Sequence, residues 1–466
     1  MKKLVSMRAA LNDTHLFGTV LAGDSWAAWR ILLIAMLGEP LTAEERVVFH
    51  ALTGREVEPG EPVDEFWGII GRRGGKSRAI AVLGAYIGAL VDIKHLLAPG
   101  EPAVLPILSA SVSQAKKIYQ YVDGIFSNVP ALKRLVLEQT ADTIKLATRV
   151  EIEVKAASFR TIRSGTMASI LVDEAAFFRS DNSANPDAEI LNAARPGLAT
   201  TGGLLAVISS PYAKTGEVYK TFRRDFGPNG DPRILVAKAA SRVMNPGLSQ
   251  AFVDRAFAKD PAAAAAEYGG EFRNDVEAFI NPEAIEAVTI RGRFELPPLS
   301  EFSYLAFVDP SGGSADSMTL AISHREEDRF ILDCMREVKP PFSPDSVVQD
   351  FAELMKSYHL VAVTGDRYSA EWVRERFSMH GIRYHQSDKT KSDIYREFLP
   401  LVNSGRVELL DSPRLMTQIC SLERRTARGG RDSIDHAPGG HDDLANAAAG
   451  SLVWSATRVL SMMDVL

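Results

Sequence analysis

Cysteine is nearly missing from this chain: only Cys334 and Cys420 occur among 466 residues, without a CxxC spacing. That excludes a disulfide framework and a cysteine-built zinc site, and it suits a reducing compartment. Long apolar runs are missing too. The longest uncharged apolar stretch, Ala79 to Val91, has 13 residues, against the roughly 20 that a membrane helix needs. The N-terminus, MKKLVSMRAALNDTH, is basic but has neither a long apolar segment nor a cleavage site, so neither membrane insertion nor export is expected. An excess of positive charge is also absent. With 53 Lys and Arg against 59 Asp and Glu, the net charge is -6, so a nucleic-acid partner must be argued from local patches. No internal repeat of solenoid length is present.

What is there is ordinary globular composition, 46% hydrophobic and 24% charged, in a chain long enough for two or three domains at roughly 150 residues each. Residues 1–60 read as a helical preface, with Trp26, Trp29, Ile31, Leu32, Ile34 and Leu37 in one segment and the capped LTAEERVVFHAL in another. From Phe66, short apolar runs alternate with helical stretches: FWGII, AVLPILSA, TIKLA, EIEVKAA, ASILVDE and GLLAVISS. That alternation predicts a mostly parallel sheet covered by helices over 61–275. Pro297 and Pro298 mark a boundary, making 276–300 a linker. A second α/β pattern over 301–466 ends in a helix from about His441.

After the strand FWGII comes Gly71-Arg72-Arg73-Gly74-Gly75-Lys76-Ser77, opening a helix. The N–H groups of such a turn and the positive helix end can cradle phosphates. Lys76 would reach the terminal phosphates of ATP and Ser77 would hold Mg2+. The spacing GxxxGKS is one residue shorter than the usual GxxxxGK[ST], since position 70 is Ile. About a hundred residues later, Ser169-Ile-Leu-Val-Asp173-Glu174 is an apolar strand ending in two carboxylates. Asp173 suits the Mg2+ shell and Glu174 the attacking water. A polar strand end, Ser209-Ser210-Pro211, follows. The joint order of the three points to a hydrolysing P-loop ATPase. Arg72 and Arg73 within the loop, and Arg160 and Arg163 before the acidic strand, are candidates for neutralising transition-state charge.

The second half carries its own carboxylates. Tyr304-Leu-Ala-Phe-Val-Asp309 and Val361-Ala-Val-Thr-Gly-Asp366 are apolar strands ending in aspartate, and Gly440-His441-Asp442-Asp443 opens a helix. Three such stations suit a pair of hard Mg2+ or Mn2+ ions roughly 4 Å apart, the arrangement of a two-metal phosphodiesterase. His436 and His441 lack the spacing of a zinc site. Arg424, Arg425, Arg428 and Arg431 form a basic run beside this centre, expected as a phosphate-tracking loop.

In order and content these motifs resemble the large terminase subunit of tailed bacteriophages, the ATPase–nuclease that packages DNA. GRRGGKS matches the family's deviant phosphate loop, ILVDEAAF its acidic strand, and ISSPY its coupling motif. EYGGEF, with Tyr268 and Phe272, looks like the end of its ATPase domain. VDPSGGSADS, TGDRYS and GGHDDLANA look like the three acidic stations of its nuclease. The resemblance implies a RecA/ASCE-like P-loop sheet followed by an RNase H-like sheet. It gives nucleotide and Mg2+ to Lys76, Ser77 and Asp173, the water to Glu174, and γ-phosphate sensing to Ser209 and Ser210. Asp309, Asp366 and Asp443 would hold the nuclease metals. Asp442 competes with Asp443 as third acid, Asp316 is a further candidate, and the finger is Arg163 or Arg160. Implied partners are double-stranded DNA, a small terminase subunit, the portal protein and further copies in a ring, within the host cytoplasm. The alternative reading is a helicase-like DNA-repair ATPase with a structural, non-cutting RNase H-like module.

Overall fold

The computed structural model describes residues 2–157, 165–178, 186–313, 316–366, 370–426, 432–438 and 440–463. They form two units, one reaching to Asn274 and the other beginning at Asp275.

In the first unit a short pair, β1 (Lys2–Lys3) with β3 (Val91–Asp92), lies apart from an eight-stranded sheet. That sheet is built from β2 (Glu65–Ile70), β4 (Ala103–Ser109), β5 (Val136–Gln139), β6 (Thr143–Leu146), β7 (Val150–Ala156), β8 (Ser169–Asp173), β9 (Leu204–Ser209) and β10 (Ile234–Ala239). Its order is β10-β2-β9-β8-β4-β7-β6-β5. All pairings from β10 to β7 are parallel, and β6 and β5 extend the edge antiparallel. Every residue of β2, β8 and β9 is buried, the mark of strands covered on both faces. The acid-bearing β8 is not next to the loop-bearing β2. Strand β9 lies between them, as a RecA/ASCE-like sheet requires.

The helix Lys76–Leu90 is apolar nearly all round and buried along its length. The preface forms the helices Ala27–Met36 and Ala43–Thr53, the latter started by a capping box of Thr42 and Glu45. Its apolar side chains join the same core as β2 and the helix Lys76–Leu90. Glu39, 8% exposed, accepts the N–H groups of Met7 (2.6 Å) and Arg8 (2.9 Å), tying the chain start to that core.

The second unit begins where a linker was expected, and this is a correction. Residues 276–300 contain β11 (Val276–Ala278) and the helix Pro282–Val288. Phe279, Ile280, Ile285 and Val288 are buried in the second unit's core, so the apolar spacing of this segment outweighs its irregular look.

The main sheet of this unit contains β12 (Tyr304–Asp309), β13 (Met318–Glu326), β14 (Arg329–Val338), β15 (Ala362–Gly365), β16 (Arg383–Gln386) and β17 (Val407–Glu408), in the order β16-β15-β12-β13-β14-β17. β12, β13 and β14 are antiparallel neighbours, and β15 and β16 continue parallel to β12, the RNase H-like arrangement expected. A smaller sheet joins β11 to β18 (Leu422–Arg425) and β19 (Ser433–His436). This corrects the expected phosphate loop. Arg424 and Arg425 lie in a strand, paired with Asp432 and Glu423, while Arg428 and Arg431 fall outside the described residues.

The last helix, Asp443–Met463, packs against β12, β13 and β14. Gly450 makes that approach close enough, since a Cβ there would come within 2.5–2.7 Å of the Phe307 ring. Gly450→Val should therefore destabilise the second unit by about 1–3 kcal/mol or more through overpacking. Chemical denaturation followed by circular dichroism reads this. A variant as stable as wild type would mean the helix can shift without cost.

Candidate functional site

In the first unit the loop between β2 and its helix is held from behind. Gly71 N–H donates to Ala239 O (3.0 Å), and Gly75 takes the left-handed φ of 84°. Trp29 Nε1 donates to Gly74 O at 2.6 Å, and a Cβ at Gly75 would meet the Trp26 ring. Arg72 forms an exposed ion pair with Glu267 (2.9 Å), and Asn245 Nδ2 donates to Arg73 O (3.0 Å). The preface and the helices after β10 thus shape the loop. Sequence reasoning named Trp26 and Trp29 only as helix residues and missed Glu267 and Asn245, because each acts across a long chain separation.

Lys76 is 7% exposed. Its ammonium donates to Ile70 O and Ser210 Oγ, both at 2.8 Å, and lies 3.5 Å from Glu174 Oε1. Glu174 has a positive φ of 54°, uncommon for a non-glycine residue and often met at functional turns. Its Oε2 accepts from Ser210 N–H (2.9 Å) and Ser209 Oγ (3.3 Å). Lys76, Glu174, Ser209 and Ser210 are therefore one hydrogen-bonded group. The sheet order explains it: β9 is inserted between β2 and β8, so the residues ending β9 stand between the loop lysine and the acid. Ser77 is half-buried in the first turn of the loop's helix. Asp173 is 6% exposed, and its Oδ1 makes no hydrogen bond. Burial, then the charge of Glu174, pushes its pKa up to about 7. A buried carboxylate oxygen without a donor suits a hard cation. Arg160 and Arg163 lie outside the described residues.

In the second unit Asp309 ends β12 and Asp366 follows β15. The two strands are parallel, with Val308 opposite Gly365. Each aspartate is thus the residue directly after the last paired position of its strand. Tyr384 Oη donates to the Asp366 carbonyl (2.6 Å), fixing that chain. Asp443 is the first residue of the last helix. Thr319, opposite Asp309 in register, donates its hydroxyl to the Asp443 carbonyl at 2.7 Å. Gln418 Oε1 accepts Ala445 N–H (3.0 Å), satisfying a donor of the first turn. Asn446 Nδ2 donates to Asp309 Oδ2 at 2.9 Å.

The electrostatics agree with this closeness. Burial chiefly raises Asp309 well above its ordinary pKa, and the charges of Asp443, Asp366 and Asp442 add to the rise. Asp443 is pushed up to about 6 by burial, then by Asp442. Its Oδ2 is buried without a hydrogen bond. His441 Nδ1 stands 4.0 Å from both Asp443 and Asp316.

Asp442 faces a different set of partners. It is 4% exposed and accepts from Tyr395 Oη (2.9 Å), while its carboxylate pairs with Lys391 at 3.0 Å. Asp435, His436 and Asp442 lie close enough to surround a cation, but Lys391 Nζ already sits among them, 2.6 Å from Asp435. Asn446, Gln418 and Lys391 were not singled out from the sequence. Asn446 was detectable, lying three residues after Asp443 and so on the same helix face.

No family model matches the sequence, and no curated protein matches it. Among solved structures, the large terminase of bacteriophage HK97 is 16% identical, covering 91% of this chain and 98% of its own, with a TM-score of 0.38. The large terminase of a thermophilic bacteriophage in complex with ADP is 12% identical over 84% and 93%, TM-score 0.33. The large terminase nuclease of thermophilic phage G20c with bound magnesium is 14% identical over 36% and 94%, TM-score 0.33. Among the described residues no helix is long and apolar enough to cross a membrane.

Proposed function

We propose that this chain is the large subunit of a viral DNA-packaging terminase. Its first unit hydrolyses ATP to move double-stranded DNA into a procapsid, and its second cuts the concatemer with a two-metal RNase H-like centre. One observation carries this reading. Each unit holds a buried carboxylate oxygen with no hydrogen-bond partner, Asp173 Oδ1 and Asp443 Oδ2, and in each the remaining groups its chemistry requires stand close by.

In the first unit Lys76 would exchange its contacts with Ile70 and Ser210 for phosphate oxygens, while Ser77 and Asp173 would hold Mg2+. Glu174 would accept the proton of the attacking water. Because Ser209 and Ser210 bind Glu174 and Ser210 binds Lys76, a change at the γ-phosphate would pass directly to the end of β9. In the second unit Asp309, Asp366 and Asp443 would hold the Mg2+ or Mn2+ pair, which supplies an activated water and stabilises the leaving 3′ oxygen. On the same reading the small terminase subunit, the portal protein and further copies in a ring are the partners.

The test is ATP hydrolysis with and without duplex DNA, together with plasmid cleavage in Mn2+, on the full chain. Both activities are expected. ATP turnover without metal-dependent cutting would favour the repair-ATPase reading, and absence of both would refute the proposal.

A pH dependence follows from Asp443. Only charged carboxylates bind a cation, so Mn2+ affinity at this centre should climb with pH through about 6 as Asp443 loses its proton, and the raised Asp309 adds to the climb. Without divalent ions the sign reverses. A carboxyl raised in the fold contributes stability that is lost as pH rises through about 6. Calorimetric Mn2+ titrations and metal-free melting curves across this range read the two trends, and a flat Mn2+ affinity would contradict the placement of Asp443.

A further inference from the structure

Asn446 lies on the last helix, three residues beyond Asp443, and is 1% exposed. Its two amide atoms are in contrasting situations. Nδ2 donates to Asp309 Oδ2 at 2.9 Å, whereas Oδ1 is buried and accepts no hydrogen bond. The amide nitrogen on the Asp309 side gives the charged carboxylate the donor it needs. A buried carbonyl oxygen without a donor, next to the central aspartate, is an oxygen of the kind that Mg2+ and Mn2+ take, directly or through a bound water. Its backbone is equally constrained. Asn446 N–H donates to Asp442 O at 2.7 Å, and Gln418 secures the preceding residue.

We infer that Asn446 is a positioning residue of the nuclease metal centre. Its amide N–H fixes the Asp309 carboxylate so that the other oxygen meets the cation, and its carbonyl oxygen faces the cation or that cation's water. The inference rests on the assignment of Asp309, Asp366 and Asp443 to the centre. It goes further by placing an uncharged side chain there.

The test is Mn2+ titration calorimetry on the full chain for wild type, Asn446→Leu, Ser323→Ala and Asp309→Asn. Leucine keeps the volume and removes both amide functions. Ser323→Ala removes the buried 2.8 Å hydrogen bond between Ser323 of β13 and Ser455 of the last helix, remote from the three aspartates, so it measures a purely structural effect. Asn446→Leu should weaken Mn2+ binding about tenfold, in the range seen for partners that orient metal ligands, and shift the Mn2+ needed for half-maximal nicking by the same factor. Ser323→Ala should bind Mn2+ as wild type does. The Mn2+-induced rise in melting temperature, compared with each variant's own metal-free value, guards against a variant that is merely less stable, and it should be smaller for Asn446→Leu but not for Ser323→Ala. Wild-type Mn2+ affinity in Asn446→Leu would overturn the inference while leaving the centre intact. Equal Mn2+ binding by wild type and Asp309→Asn would overturn the centre itself, and the inference with it.

Discussion

Glu174→Gln should reduce ATP turnover by about 10²–10⁴-fold, the range expected for loss of a general base, while nucleotide binding survives. The structure separates these effects. A glutamine carbonyl can still accept from Ser210 N–H, as Glu174 Oε2 does at 2.9 Å, so the turn after β8 should keep its shape. What disappears is the negative charge facing Lys76 and the capacity to take a proton. The charge of Glu174 also helps to raise the Asp173 pKa. Its removal should lower that pKa and ease cation binding at neutral pH, so ATP–Mg2+ should bind at least as tightly as in wild type. Lys76→Ala, by contrast, removes a phosphate contact and should lose both binding and turnover. Single-turnover hydrolysis alongside equilibrium binding of a fluorescent ATP analogue distinguishes the two variants. Normal turnover in Glu174→Gln would remove this residue from the water-activating role.

Asp309→Asn should abolish metal-dependent cutting and leave ATP turnover unchanged. A ligand to a cation that stabilises both attacking and leaving oxygens contributes several kcal/mol. Each ~1.4 kcal/mol is tenfold in rate, so a loss of at least about 10²-fold is expected. The variant should remain folded, because an asparagine carbonyl can take the Asn446 hydrogen bond that Asp309 Oδ2 now accepts. Without metal it should even melt higher than wild type. Asp309 is raised far above its usual pKa by burial and by the neighbouring acids, and replacing a disfavoured charge by a neutral isostere relieves that cost. Nicking of supercoiled plasmid over a Mn2+ series, together with metal-free melting, reads both effects. Retained cutting would mean that the nuclease metals are held elsewhere.

The parts of this molecule legible in the sequence are those in which chemistry and local pattern coincide. Strands β2, β8 and β12 are short apolar runs ended by a loop or an acid, and both signals occupy the same few residues. The capping box at Thr42 and Glu45 is visible for the same reason. Elements whose stability comes from distant partners were illegible. Strand β16, RYHQ, buries only Tyr384, so it shows no apolar run. The hairpin of β18 and β19 carries arginines that read as a phosphate loop until Asp432 and Glu423 are seen to neutralise them. The helix Pro282–Val288 did carry a signal, proline at its first position with apolar residues in helical spacing, but the prolines at 297 and 298 drew the boundary instead. Within the sites, the acids were readable and their supports were not. Trp29 reaches Gly74 across 45 positions, a distance over which a sequence carries no spacing rule, and the spacing that places Asn446 beside Asp443 does not show the Asp309 it meets 137 positions away. The choice between Asp442 and Asp443 likewise needed the partners: Lys391 and Tyr395 engage the first, while the second keeps a buried oxygen without a donor.

The most direct measurement is the anomalous scattering of Mn2+ soaked into crystals of the full chain. Density peaks are predicted within about 2.0–2.3 Å of carboxylate oxygens from Asp309, Asp366 and Asp443, with Asn446 bordering the same density. Manganese bound instead among Asp435, His436 and Asp442, or three aspartates that share no ion, would contradict the account.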